Sequence, residues 1–127
     1  MTTVEPKRQT DLALLWAPFQ KKVRALFAAL DARGFDPVAF EALRIPARQE
    51  WLYANGRTRH LNEKPDTWTH HSKHMVGKAC DIVSKSRWWG WDEFYDAMEE
   101  EALRLGLRDC NGGKTFRKER CHVQWGG

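Results

Sequence analysis

The chain has 127 residues, of which 42% are hydrophobic and 30% charged, and its formal net charge is +4. This length suits one domain with a real core and is short for two, so we expect a single soluble globular domain over residues 1–127. No apolar run approaches the roughly 18 residues of a membrane helix, and no apolar segment follows the first charged residues, so neither an anchor nor a signal peptide is expected. The basic excess favours anionic partners such as nucleic acid, an anionic membrane or an acidic cell wall, without choosing among them.

The first third of the chain predicts a helix followed by a short strand. Residues 1–10 are polar and are expected to be frayed. A helix is expected to begin near Pro18, a favoured first-turn residue, and to stop at Gly34. Its apolar residues recur at helical spacing on one face: Phe19, Val23, Leu26, Phe27 and Leu30. Residues 38–44 then favour a short strand.

The middle of the chain predicts a second helix, a long loop and a second strand. Pro46 opens a helix that runs through Tyr53 and is ended by Asn55-Gly56. Residues 57–71 are polar, contain a proline and lack periodicity, which indicates a long loop of the kind that is usually functional or disordered. Residues 78–84 favour a strand.

The last third predicts a helix, a turn and a closing strand. Asp92 is placed to cap a third helix that runs to about Leu105, with Gly106 as its stop. The Asn-Gly-Gly run at 111–113 is a strong turn signal. Residues 121–125 have the alternation of a closing strand.

Tryptophan is unusually frequent, with seven residues, three of them in the run Trp88-Trp89-Gly90-Trp91. Tryptophan is mostly core material, but three rings within four residues are too dense to face one core. Two interpretations stay open: one ring lines a groove, or the cluster packs against the start of the third helix.

Three side chains carry the case for a metal site: His74, Asp81 and His122. His74 lies seven residues before Asp81, and Gly77 between them allows a sharp bend or close packing. Asp81 stands in the β-prone run 78–84, where a carboxylate is costly unless it is paired or bound to a cation. Two histidines and one carboxylate, with a position left for water, form a common catalytic zinc set, although this spacing alone has many false matches.

Glu119 lies three residues before His122 and is the candidate general base. A catalytic zinc site needs a nearby carboxylate to take the proton from its water. The spacing Glu-x-x-His can place one side chain on the metal and the other beside it. The alternative is that Glu119 is one more surface charge in the run 117–120, Arg-Lys-Glu-Arg.

The run 72–81, Ser-Lys-His-Met-Val-Gly-Lys-Ala-Cys-Asp, resembles the Ser-x-His-x-x-Gly-x-Ala-x-Asp signature of the zinc D-alanyl-D-alanine peptidases. This family includes carboxypeptidases, vancomycin-resistance dipeptidases and the L-alanyl-D-glutamate endopeptidases of phage lysins. The run 119–122 resembles the closing acid-x-x-His motif of the family, and residues 44–58 are similar to the block that precedes the loop. Three blocks in the right order therefore span residues 44–122.

The resemblance implies one zinc ion, Zn2+, per chain, held by three ligands: His74, Asp81 and His122. It makes Glu119 the general base and acid. Arg44 matches the arginine that faces the substrate carbonyl, where a fixed cation stabilises the developing oxyanion, and the alternative is a surface charge at a strand end. Ser72 matches a serine that either holds the substrate or only shapes the loop.

The resemblance also implies an α+β fold of the Hedgehog and D,D-peptidase type, in which a small antiparallel sheet carries the zinc site and packs against helices. The expected reaction is hydrolysis of an amide bond in a peptidoglycan stem peptide by zinc-activated water. The short chain favours a phage-type endolysin with L-alanyl-D-glutamate endopeptidase activity. The alternatives are a D-Ala-D-Ala carboxypeptidase or dipeptidase and a non-catalytic zinc-binding domain of the same fold.

The expected partner is thus the stem peptide, bound by a monomer that is made in the cytoplasm and acts on the cell wall after release. No nucleic-acid motif supports a nucleic-acid partner, and no stable membrane association is expected. The segment 108–114, Arg-Asp-Cys-Asn-Gly-Gly-Lys, departs from many relatives, which carry Trp-Gly-Gly followed by an acidic residue. This departure bears on substrate choice rather than on metal binding.

The three cysteines, Cys80, Cys110 and Cys121, include no Cys-x-x-Cys pair, which argues against a zinc ribbon and predicts free thiols. Cys80 precedes Asp81, and Cys121 precedes His122. Because side chains alternate faces along a strand, both thiols are expected to point away from the metal and not to bind it.

Overall fold

The computed structural model describes residues 5–54, 57, 73–116 and 119–127. The helices in these residues are α1, Ala17–Ala32, α2, Pro46–Ala54, and α3, Asp92–Arg104. The strands are β1, Pro37–Glu41, β2, Ala79–Ser84, and β3, His122–Gln124. Two short 3-10 helices span Leu12–Leu14 and Lys73–Val76. No helix in this part of the chain has the length and apolar character that crossing a membrane requires.

Helix α1 confirms the predicted amphipathic pattern. It begins at Ala17 with Pro18 in its first turn, and it is followed by Gly34, whose φ of 88° is a conformation that glycine adopts without strain. One face of the helix is buried: Phe19, Val23, Leu26 and Leu30. Burial of one such side chain stabilises the fold by about 1.5–3 kcal/mol relative to exposure, so this face anchors the helix to the core.

The three strands form one antiparallel sheet in the order β1-β2-β3. In the ladder between β2 and β3, Cys80 lies opposite Val123 and Asp81 lies opposite His122. Successive side chains of a strand point to opposite faces, and partners across the ladder share a face. Cys80, Ile82 and Val123 belong to the hydrophobic core, so Asp81 and His122 lie on the other face of the sheet.

Strand β1 is shorter than the predicted strand 38–44. It ends at Glu41, and the residues that follow turn away from β2 to meet the 3-10 helix Lys73–Val76. The backbone N–H of Arg44 donates to the carbonyl oxygen of His74 at 2.8 Å. The end of β1 therefore leads directly to one of the predicted metal ligands.

The hydrophobic core lies between one face of the sheet and helices α1 and α3, which contact each other. Its largest fully buried side chains are Phe19, Leu26, Leu30, Ile82, Phe94, Met98, Leu107 and Phe116. A set of polar side chains is also buried: Glu41, Arg44, Arg48, Gln49, His74, Ser84, Asp109, His122 and Gln124. Most of this polar set gathers at the sheet face that carries Asp81, so the sheet separates an apolar side from a polar one.

Helix α3 lies where the sequence predicts it, but its first turn is built differently. Trp91 occupies the N-cap position without a side-chain cap hydrogen bond, and Asp92 is the first helical residue. A carboxylate in the first turn is favourable because it faces the positive end of the helix dipole. Gly106 follows the last turn with a φ of 76°, as expected for a helix stop.

The tryptophans before α3 divide between the two interpretations. Trp91 packs against the core, with its ring centroid 4.9 Å from that of Phe35. Trp88 and Trp89 are about half exposed, at 50% and 51%. Trp89 lines a cavity beside α3, while its ring also meets that of Phe40 at 4.8 Å.

Residues 5–10, which were expected to be frayed, lie against the sheet. The carbonyl oxygen of Gln9 accepts from the N–H of Ala42 at 2.7 Å, and the guanidinium of Arg8 lies 3.7 Å from the ring centroid of Phe40. Several other expectations lie outside the described residues: the remainder of the frayed segment at 1–4, the helix stop at Asn55-Gly56, and the loop 57–71 apart from Arg57.

Candidate metal centre and active site

The structure brings together the three predicted metal ligands. His74 lies on the 3-10 helix Lys73–Val76, Asp81 on β2 and His122 on β3. One ligand atom from each lies within 4.8 Å of the other two, and this is the only such group of three among the residues that the structure describes. His74 and His122 are 2% and 7% exposed, so the group is largely shielded from solvent.

The local chain path explains why these side chains meet. Asp81 and His122 are direct partners in the β2–β3 ladder and so share a face. His74 is brought above them by the bend at Gly77, which has a φ of 70°. The carbonyl oxygen of Gly77 accepts from the N–H of Trp16 at 3.0 Å, and a β-carbon at Gly77 would lie 2.8 Å from that nitrogen. Only glycine fits this bend without displacing backbone, as the sequence predicts.

Each histidine has a hydrogen-bond partner that indicates which of its ring nitrogens carries the proton. Nδ1 of His74 lies 3.1 Å from the carbonyl oxygen of Ala42, an atom that can only accept, so Nδ1 carries the proton. Nε2 of His122 lies 2.9 Å from Oε1 of Gln124, so Nε2 carries the proton there. The unprotonated nitrogens are then Nε2 of His74 and Nδ1 of His122. Such outer partners orient metal-binding histidines in known metal sites.

Both unprotonated nitrogens point at one carboxylate oxygen. Nε2 of His74 and Nδ1 of His122 each lie 3.4 Å from Oδ1 of Asp81. That oxygen is buried and has no hydrogen-bond partner in the part of the chain that the structure describes. Lone pairs directed at an anionic oxygen are repelled by it unless a cation, either a proton or a metal ion, lies between them. Two ligands of a tetrahedral zinc ion lie about 3.3 Å apart, so the donor set and its spacing fit zinc.

The electrostatics of the group are those of a site that attracts positive charge. Burial alone raises the pKa of Asp81, but the His74 and His122 rings outweigh burial and hold its pKa well below the usual range. Burial alone lowers the pKa of His122, yet its contacts with Asp81 outweigh burial and raise that pKa above its ordinary value. Asp81 is therefore an anion at neutral pH, and its charge favours any cation bound between these groups.

Arg44 lies beside the three candidate metal ligands and is 8% exposed, so it is not a surface charge. Its Nη2 donates to Oε1 of Glu41 at 2.7 Å and lies 3.9 Å from Oδ2 of Asp81. Its Nη1 donates to Oε1 of Gln49 at 3.0 Å. The guanidinium is thus held at the edge of the candidate metal centre by two side chains.

Glu119 stands apart from the three-ligand group. It is exposed, and its carbonyl oxygen accepts from the N–H of His122 at 3.1 Å in the turn that enters β3. Its negative charge contributes to the raised pKa of His122, although less than the contacts with Asp81. Glu119 lies on the wall of a cavity of about 340 Å³ together with Trp89, Asp92, Tyr95, Arg120 and Cys121.

Neither cysteine thiol next to a ligand belongs to the metal-binding group. Cys80 is fully buried in the core, and Cys121 is free and packs against the core from its edge. Burial, followed by the negative charges of neighbouring acids such as Asp81, raises the pKa of both thiols. Both shifts favour the neutral thiol over the thiolate.

Sequence reasoning missed three polar residues of this face: Glu41, Gln49 and Gln124. Glu41 had a usable signal, because it is a carboxylate inside the predicted strand 38–44, as Asp81 is inside the β-prone run 78–84. Gln124 had one as well, since it lies two residues after His122 and therefore on the same strand face. Gln49 had none, because its burial depends on how α2 packs. The substrate-binding candidate Ser72 lies outside the described residues.

The segment 108–114, whose sequence differs from that of many relatives, lies beside β3 and forms hydrogen bonds with it. The N–H and C=O of Arg108 exchange hydrogen bonds with those of Gln124 at 3.0 Å each. The Asp109 carboxylate accepts from three backbone N–H groups of the turn, those of Asn111 and Gly113 at 2.8 Å and that of Thr115 at 3.1 Å. Burial raises the pKa of Asp109, but these hydrogen bonds outweigh it and hold the pKa below its ordinary value.

Comparison with known proteins identifies the fold. No family model and no curated protein sequence matches the chain. Among solved structures, a vancomycin resistance D,D-pentapeptidase, VanY, in complex with Zn(II) is similar at 19% identity and a TM-score of 0.67, over 89% of this chain and 73% of that one.

Two further structures have the same fold. One is the L-Ala D-Glu endopeptidase ChiX of Serratia marcescens, at 22% identity and a TM-score of 0.65, over 97% of this chain and 92% of that one. The other is the LD-carboxypeptidase LdcB, at 20% identity and a TM-score of 0.68, over 98% of this chain and 66% of that one. The LdcB structure was described as showing the molecular basis of peptidoglycan recognition. The α+β chain with its antiparallel sheet therefore has the fold of the VanY, ChiX and LdcB peptidases. This confirms, at the level of the fold, the resemblance seen in the motifs.

Proposed function

We propose that this chain is a zinc-dependent peptidase that hydrolyses amide bonds in the stem peptides of peptidoglycan. The single observation that carries the proposal is the convergence of two histidine lone pairs on the buried, unpartnered Oδ1 of Asp81. This convergence lies on the polar face of a sheet whose fold is shared with cell-wall peptidases. The metal ligands are His74, Asp81 and His122.

The proposed mechanism assigns one task to each residue. Zinc, when bound, supplies a Lewis acid that polarises the peptide carbonyl and acidifies water. The carboxylate of Glu119 accepts a proton from the attacking water and later gives it to the nitrogen of the departing amine. The C–N bond breaks, and the products are a carboxylic acid and an amine. The guanidinium of Arg44 stabilises the negative charge that develops on the carbonyl oxygen. Ser72 is proposed to contact the substrate.

Within this class of reaction, we favour cleavage between L-alanine and D-glutamate, as in a phage-type endolysin. The chain shares its fold with the L-Ala D-Glu endopeptidase ChiX at 22% identity, and with the D,D-pentapeptidase VanY at 19% identity. D,D-carboxypeptidase activity is the alternative, because VanY shares the same fold.

The test is digestion of purified peptidoglycan, with product masses read by mass spectrometry. The zinc-loaded protein is expected to release peptides that begin with D-glutamate, and a chelator is expected to stop the reaction. Glu119→Ala should keep zinc but lower kcat at least about 100-fold, as removal of a general base does. Glu119→Asp should retain part of the activity. Replacement of the exposed Glu93 on α3 by Ala is the matched control and should change little.

Each other outcome has a definite meaning. Release of free D-alanine instead would make the protein a carboxypeptidase. A protein that binds zinc but leaves the peptidoglycan intact would be a non-catalytic domain of this fold, and the proposal would be wrong. Undiminished hydrolysis by Glu119→Ala would remove Glu119 from its assigned role.

A further inference from the structure

A buried carboxylate on β1 joins the polar face of the sheet without being a metal ligand. Glu41 is 2% exposed, and both of its oxygens are engaged by arginines. Oε1 accepts from Nη2 of Arg44 at 2.7 Å, and Oε2 accepts a short hydrogen bond from Nε of Arg48. Burial of a carboxylate costs several kcal/mol unless its partners are well placed, so this position is demanding to maintain.

A β-bulge brings Glu41 to this face. Ala39 pairs with Ile82 across the β1–β2 ladder, and a regular ladder would then place Phe40 opposite Asp81. Instead the register shifts by one residue, and Glu41 lies opposite Asp81. The bulge therefore turns Glu41 from the core face to the metal face, a use of bulges that is common beside active sites.

The contacts of Arg44 indicate what Glu41 does. Arg44 Nη2 already lies 3.9 Å from Oδ2 of Asp81, and its buried Nε has no hydrogen-bond partner. Without the anionic Glu41, the nearest carboxylate for this guanidinium among the described residues would be Asp81. An arginine paired directly with Asp81 would compete with a metal ion for the same carboxylate.

We propose that Glu41 is a positioning residue that holds the guanidinium of Arg44 off Asp81 and at the edge of the metal centre. The inference rests on the proposed function for its effect on catalysis, but not for its effect on metal binding. Glu41 lies opposite Asp81 in the ladder, but in this scheme it supplies no metal ligand and does not contact the substrate. Glu41 acts through Arg44. Without Glu41, the guanidinium of Arg44 would be misplaced for stabilising the oxyanion, and it would pair with the metal ligand Asp81.

The test is Glu41→Gln, which keeps the shape of the side chain but removes its charge. We expect kcat to fall about 10- to 100-fold, the range typical of residues that support a metal site, with KM changed less than about twofold. We also expect the zinc dissociation constant, measured by competition with a chromogenic chelator, to rise about tenfold. If Glu41→Gln does not fold, Glu41→Asp is the second variant, because it keeps the charge on a shorter side chain. It should also lower kcat and raise the zinc dissociation constant.

A double-mutant cycle separates positioning from a general structural role. In an Arg44→Ala background, Glu41→Gln should leave kcat unchanged and should no longer weaken zinc binding, because the competing guanidinium is absent. The matched control is Glu5→Gln, which removes a half-exposed carboxylate from Arg48 but leaves Arg44 untouched. This control should keep wild-type kcat and zinc affinity.

The outcomes keep the two proposals apart. Wild-type kcat and zinc affinity in a folded Glu41→Gln protein would overturn the positioning role, and so would equal losses in the presence and absence of Arg44. A wild-type protein that binds zinc without cleaving peptidoglycan would refute the proposed function, and the zinc affinities would then still decide the role of Glu41.

Discussion

At the scale of single residues, the candidate centre depends on which nitrogen each histidine presents. His74 presents Nε2 because Nδ1 donates to the carbonyl of Ala42, and His122 presents Nδ1 because Nε2 donates to Gln124. The two rings are therefore oriented by atoms that bind no metal themselves. A ligand motif specifies residue types, whereas these outer partners specify the geometry in which the ligands meet Asp81.

Asp109 provides a residue-scale prediction about pH. Asp109→Asn should lower the free energy of unfolding at pH 7 by about 1.5–3 kcal/mol, because hydrogen bonds to a charged acceptor are replaced by weaker or lost ones. The pKa of Asp109 is lower in the folded protein than the ordinary value of about 3.9. Its stabilising contribution is therefore complete above that value and is lost as the pH falls through the lower, folded pKa.

Urea denaturation across pH 7 to pH 3 measures this effect. The difference in unfolding free energy between wild type and Asp109→Asn should shrink as the pH falls below about 4. Asp36→Asn is a suitable comparison, because Asp36 also has a lowered pKa, through hydrogen bonds with Ser84 and Ser86, but lies in a different turn. A difference that is constant over this pH range would mean that the charge of Asp109 contributes nothing.

At the scale of elements, the site depends on how short segments meet the central strand. Strand β2 supplies Asp81, β3 supplies His122 opposite it, and the bulge in β1 adds Glu41 on the same face. The 3-10 helix that carries His74 reaches this face only through the bend at Gly77. Each contribution is a backbone feature, so the site is sensitive to backbone changes outside the ligands.

Gly77→Ala tests this dependence at the junction between the 3-10 helix and β2. A side chain at this positive φ is strained, and its β-carbon would also meet the backbone nitrogen of Trp16 at 2.8 Å. We expect a loss of stability of about 3 kcal/mol or more and weaker zinc binding, because His74 moves with the bend.

Gly34→Ala is the matched control, since Gly34 has a φ of 88° but nothing within 4 Å of its β-carbon. It should cost about 1 kcal/mol, from backbone strain alone, and leave zinc binding unchanged. Thermal unfolding and zinc titration of both variants supply the comparison. Equal losses of stability in the two variants would mean that the contact between a β-carbon at residue 77 and the backbone nitrogen of Trp16 does not affect stability.

At the scale of the whole molecule, the sheet divides the protein into an apolar half and a polar half. Helices α1 and α3 complete the core on one face, whereas the other face holds buried charges that depend on one another. The unpartnered Oδ1 of Asp81 is a cost in the metal-free protein, because a buried acceptor without a partner loses its hydration. We therefore expect stability and metal binding to be linked.

Removal of metal tests this link. Zinc at about 1,000 times its dissociation constant should stabilise the protein by about 4 kcal/mol, and a chelator should abolish this gain and lower the melting temperature. Asp81→Asn should make the melting temperature insensitive to the chelator. Calorimetry with and without chelator provides the measurement, and a wild-type melting temperature that does not respond to zinc would contradict the proposed metal site.

The helices, most of the strand positions and the three candidate metal ligands could be predicted from the sequence. Helical periodicity located α1, and glycines at 34, 77 and 106 marked bends that the structure has at those positions. The motif that resembles the D-alanyl-D-alanine peptidase signature, together with the closing acid-x-x-His motif, pointed to His74, Asp81 and His122 as one candidate group, and the fold brings these three side chains together. Helical periodicity, glycine positions and motif residues depend on neighbouring residues or on residue type, so they can be predicted from the sequence.

Which other residues join the candidate site depends on contacts between segments that are distant in the sequence. Strand β1 stops at Glu41 rather than continuing to residue 44, because the chain turns there and the backbone N–H of Arg44 donates a hydrogen bond to the carbonyl oxygen of His74. The burial of Gln49 and the pairing of Glu41 with two arginines depend on how α2 and β1 pack beside β2. A one-residue bulge reverses the face on which a side chain lies, and such a shift leaves no trace in periodicity, since it arises from contacts between strands that are distant in sequence.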